Sequence, residues 1–109
     1  MIWAIIQFQF DGFHKWIDAP EEIKFLRNIH RHVFHCKIYI KENVNIDRDI
    51  EFISLKNELK GNIHIFHNDK KNSCEDIGKN INRWLKHKYP ERKTKVYVYE
   101  DNENGCCIE

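Results

Sequence analysis

The chain has little of what builds linkers, fibres or membrane spans. Four glycines, two prolines and one methionine are spread through 109 residues, and no internal repeat or Gly/Ser-rich tract separates one part from another. The prolines, Pro20 and Pro90, fall where turns are expected in any case. Long apolar runs are missing as well. The longest, Ile2 to Phe10, contains two glutamines and is far shorter than a bilayer requires, so no membrane partner is expected. Charge of one sign is also absent: 18 Lys and Arg against 17 Asp and Glu leave a formal +1, interspersed along the chain. That balance gives no electrostatic reason to expect a nucleic-acid polymer as partner. The amino terminus lacks the basic stretch, apolar stretch and small-residue site of a signal peptide. A cytoplasmic location is therefore expected, with Cys36, Cys74, Cys106 and Cys107 as reduced thiols rather than a disulfide framework.

What remains is ordinary for a soluble domain, 41% apolar and 32% charged, and the length suits a single domain over residues 1–109. The anomaly is seven histidines. Three of them, with Cys36, fall within NIHRHVFHCKIYI, residues 28 to 40, which otherwise alternates as a strand does.

Periodicity organises the rest. Residues 2–10 alternate with Ile6, Phe8 and Phe10 on one face and Gln7 and Gln9 on the other, which predicts a first strand, and DGFHKWIDAP reads as a loop after it. PEEIKFLRN begins with proline and two acids, as a short helix or helical turn does, and leads into a second strand over 30–42. IEFISLKNELKG spaces Phe52, Leu55 and Leu59 by three and four before a glycine suited to capping a helix. Ser73 with Asp76 three residues on resembles a capping box, and Ile77, Ile81, Trp84 and Leu85 make one stripe of a second helix. TKVYVYE alternates as a third strand, and CCI after the turn signal DNENG predicts a hairpin return. The expected class is α+β: a four-stranded antiparallel sheet with two helices on one face.

Residues two apart on a strand share a face, so His30 and His32 present imidazoles about 7 Å apart along the chain. Zinc takes imidazole nitrogen and in catalytic sites uses three protein ligands. His14 is the candidate third ligand, because neighbouring strands bring the end of the first beside the start of the second. His35 has the opposite parity and should face away. On spacing alone, His-x-His equally fits partly exposed strand histidines satisfied by water or backbone.

Six stretches in order resemble the 6-pyruvoyl-tetrahydropterin and 6-carboxytetrahydropterin synthase family. FQFDGFH is similar to the family's first strand ending in its first zinc histidine, here His14. HRHVF resembles its His-Gly-His pair, here His30 and His32, and IEFISLK its acidic-Phe helix opening. HIFHND resembles the stretch led by a catalytic histidine, here His64. NSCEDIG resembles a helix start that would place Cys74 and Glu75 among ligand-binding residues. VYVYED resembles the last strand, whose terminal glutamate, here Glu100, anchors the pterin ring. Without the resemblance, Glu100 reads as an exposed acid at a strand end. The resemblance implies a tunnelling fold, bound zinc, and sheets joined into an oligomeric barrel. It also implies pockets completed by a neighbouring subunit, with HIFHND and the helix start around Cys74 and Glu75 as the donated parts.

The departures are specific. The family's nucleophile or base, usually Cys, lies four residues before the first histidine of the pair, where this chain has Leu26. The aspartate that orients the catalytic histidine is Ile63 here, Arg31 replaces a glycine, and the loop between the helices is short. Losing a positioned general base typically costs about 10²–10⁴-fold in rate. Two expectations follow. In one, the chain binds a purine-, pterin- or nucleotide-like small molecule without standard catalysis, as would suit a compact viral or mobile-element protein sequestering a signalling nucleotide. In the alternative, it is an active zinc-dependent lyase on dihydroneopterin triphosphate or a relative, with His64 or zinc-bound water replacing the base.

Overall fold

A computed structural model describes residues 1–109. Strand β1 spans Trp3–His14 and β2 spans His30–Lys41, joined through a kinked 3₁₀ segment at Glu21–Arg27. Helix α1 (Phe52–Gly61), a single turn α2 (Ile63–Phe66) and helix α3 (Cys74–Lys88) follow, and β3 (Thr94–Glu100) and β4 (Asn104–Ile108) close the chain. The sheet runs β1-β2-β3-β4 with every pair antiparallel. The expected α+β class with a four-stranded antiparallel sheet is what the chain adopts.

Alternation sorts the sheet into two faces. Ala4, Ile6, Phe8 and Phe10 of β1 lie beside Phe34, Cys36, Ile38 and Ile40 of β2 and Val96 and Val98 of β3, all buried. Leu55, Leu59, Phe66, Ile77, Ile81 and Leu85 bring the helices onto that face. Each such side chain contributes about 1.5–3 kcal/mol when fully buried. The other face, with Gln7, Gln9, Lys37, Tyr39, Tyr97 and Tyr99, carries no helix, and His35 lies on it as its parity requires.

Three boundaries differ from the sequence reading. Strand β1 continues through Asp11–His14 instead of turning at Asp-Gly. Gly12 faces inward, where a Cβ would meet the Phe34 ring at 2.6 Å; the glycine serves close packing, so the turn signal is overridden. Gly61 is the last residue of α1 rather than its cap, which is Asn62, and the α1 start is capped by the Glu51 carboxylate accepting from the Ile53 and Ser54 amides. The extra turn α2 had no periodic signal of its own. By contrast, Ser73 and Asp76 form a complete capping box at the start of α3.

The β1–β2 ladder runs twelve pairs, Trp3↔Lys41 to His14↔His30, whereas β3 pairs only with Phe34–Ile40. The hairpin therefore overhangs β3, and the segment before α3 folds across the overhang. It is held there by Lys15 donating to the Lys70 carbonyl (2.8 Å) and His67 Nε2 donating to the Phe13 carbonyl (2.8 Å).

Candidate metal centre

The overhang brings three imidazoles to one point on the inner face. His14 is the last residue of β1, not part of a loop, and stands directly opposite His30, while His32 lies two residues along β2. Ring centroids are 4.5 Å apart for His14–His30 and 4.9 Å for both His14–His32 and His30–His32. One nitrogen from each lies within 4.8 Å of the others. A tetrahedral ion with 2.0–2.1 Å bonds has ligand–ligand edges of about 3.3 Å, so the rings need close in by only about 1 Å each.

The second nitrogen of every ring is already engaged. His14 Nδ1 donates to the Asn72 carbonyl (3.0 Å), His30 Nδ1 to the Asn28 carbonyl (2.8 Å), and His32 Nδ1 to Asp101 Oδ2 (2.6 Å). A ring that donates from Nδ1 carries its lone pair on Nε2, the arrangement that orients imidazoles for metal ligation. His32 Nε2 is buried and has no hydrogen-bond partner. Burial holds His14 below the ordinary histidine pKa, against the opposing pull of the Asn72 hydrogen bond and Glu100, so it stays neutral as a ligand must. Asp101 is fixed twice more: its Oδ1 accepts the Val33 amide (2.8 Å) and its own amide donates to the Val33 carbonyl (2.8 Å). The His32 hydrogen bond, then the Val33 amide, keep its carboxyl below the usual range. The residues fit a metal ion by number, tautomer and convergence, and such an ion would supply Lewis acidity to an oxygen bound beside it.

Glu100, at the end of β3, reaches the same point, with Oε2 3.4 Å from His32 Nε2 and Oε1 3.9 Å from His14 Nε2. Beside the histidines opens a cavity of about 440 Å³ bordered by His14, His30, Trp16, Leu26, Cys74, Glu75 and Glu100. Cys74 is buried, and desolvation followed by the neighbouring Glu100 carboxylate pushes its thiol pKa well up, so it faces the cavity as a neutral S–H. No family model and no curated protein matches the chain.

The site thus gathers His14, His30, His32, Glu100, Glu75 and Cys74. The last two line the cavity beside their own chain's histidines. Leu26 borders the cavity with an inert side chain. His64 does not join them: it is exposed on α2 and does not border the cavity. Sequence reasoning missed Asp101, whose only signal was an acid in the turn immediately after the alternating run. It also missed Asn28 and Asn72, which act through backbone carbonyls and leave no side-chain signal. Cys36 is buried in β2 with a thiol pushed up to about 12 by desolvation.

Proposed function

We propose that the protein is a divergent relative of the 6-pyruvoyl/6-carboxytetrahydropterin synthases that binds zinc at His14, His30 and His32. In this reading the adjoining cavity holds a purine-, pterin- or nucleotide-like ligand without standard synthase turnover. The observation that supports it best is the pairing of three Nε2-free histidines with a cavity whose polar wall includes two carboxylates, Glu75 and Glu100. A carboxylate meets the adjacent N–H donors of a guanine- or pterin-like edge with two acceptor oxygens, a geometry as specific as a bidentate arginine pair. Leu26 in that wall cannot transfer a proton, and Ile63 cannot orient His64. Holding a nucleotide without converting it would sequester it.

The same reading makes the protein a homo-oligomer, its sheets joined into a barrel with the pocket near the junction. Both sheet edges, β1 and β4, are unpaired, and Phe13, Trp16, Ile17, Phe25 and Ile29 are each half or more exposed around the hairpin end. Open edges and clustered exposed apolar groups favour pairing with another chain.

A thermal-shift screen of zinc-loaded protein against guanine, neopterin and GTP tests the reading, because a ligand selective for the folded state raises Tm by mass action. At least one should do so, while incubation with dihydroneopterin triphosphate should leave the substrate unconverted. Turnover within tenfold of an ordinary synthase would replace the binder with an active lyase.

A further inference from the structure

We infer that Glu100 is a fourth ligand of the metal centre, so that in the absence of a small molecule the ion is closed by three imidazoles and one carboxylate. The inference rests on the metal reading above and concerns what completes it. With Nδ1 of His32 donating to Asp101, its Nε2 presents a lone pair, and the atom facing it at 3.4 Å is Glu100 Oε2, also an acceptor. His14 repeats the pattern: Nδ1 donates to Asn72, and Nε2 faces Glu100 Oε1 at 3.9 Å. Acceptors this close with no hydrogen bond between them are unfavourable unless a cation sits nearby. The 3.4 Å separation is close to the edge of about 3.3 Å between ligands of a tetrahedral zinc ion. Glu100 is also the carboxylate that borders the cavity. A ligand whose N–H donors draw it away would free one position on the ion, linking cavity occupancy to metal coordination.

Glu100→Gln and Glu100→Asp tested against the native chain decide the matter, the second retaining the charge while withdrawing the oxygen by one methylene. Zinc affinity is read by competition with a chromophoric chelator, and cobalt(II) in place of zinc reports coordination through its visible absorption. Loss of a direct ligand should cost at least the 10–100-fold typical of outer-shell partners in both variants and alter the cobalt spectrum, while Glu91→Gln, at an exposed carboxylate outside the cavity, leaves affinity and spectrum unchanged. Native affinity and an unchanged spectrum in either Glu100 variant would overturn the inference and leave the three-histidine site standing. If the native chain binds neither zinc nor cobalt, the metal reading itself fails and this inference falls with it.

Discussion

Asp101 sets two things with one carboxylate: the tautomer of His32 through Nδ1 and the seating of β2 through the Val33 amide. Asp101→Asn keeps the size and removes the charge that the His32 Nδ1–H donates to. It should weaken zinc binding about 10–100-fold with the circular-dichroism spectrum retained, as measured by chelator competition. The histidines themselves were legible in the sequence because strand parity forces His30 and His32 together and excludes His35. Their acceptors were not, since two are backbone carbonyls and the third lies 69 positions from its partner. The pH response belongs at this scale as well. His14 has its folded pKa lowered below the unfolded value of 6.5, so as pH falls below 6.5 the unfolded chain takes up a proton that the folded one refuses, and stability falls. Asp101 and Asp49, lowered below 3.8 chiefly by hydrogen bonds to His32 and Arg92, add a second loss as pH drops through 3.8. Chelator-treated protein should therefore lose Tm in two stages, and His14→Gln should abolish the upper one only.

The elements that position the site are the β1–β2 overhang and the segment capped by Ser73. Ser73→Ala removes one half of the capping box and should cost about 1 kcal/mol in urea denaturation. Because the neighbouring Asn72 carbonyl holds His14, zinc affinity should fall with it. Gly12→Ala should cost about 1–3 kcal/mol, since the fully buried Phe34 ring has nowhere to move from the new Cβ. The first three strands and both long helices were visible as periodicity, the fourth strand only through its turn signal. The length of β1 was not, because Asp-Gly signals a turn locally while its need for close packing depends on Phe34, distant in sequence. Helix α2 is too short to show a period at all.

At the level of the whole molecule, one sheet with helices on a single face explains why the class was readable from the order of elements: alternating runs first and last, helical spacing between. The assembly is a different matter, for nothing local encodes which edge meets which. The open β1 edge and the exposed Phe13, Trp16 and Phe25 support the proposed homo-oligomer. Light scattering at micromolar concentration should report a multiple of 13.3 kDa, whereas a monomer would remove the oligomeric part of the proposal. No helix is long and apolar enough to cross a membrane. The central claim is that the end of the long hairpin is a metal centre, and zinc stoichiometry read together with thermal stability tests it most directly. The account predicts one zinc per chain, removed by chelator and restored on titration. Tm should rise as the ion returns, by the equivalent of about 2.7 kcal/mol at a hundredfold excess over Kd, and a folded variant lacking all three histidines should show no response. Native protein that takes up no zinc, and whose Tm is unmoved by it, would contradict the account.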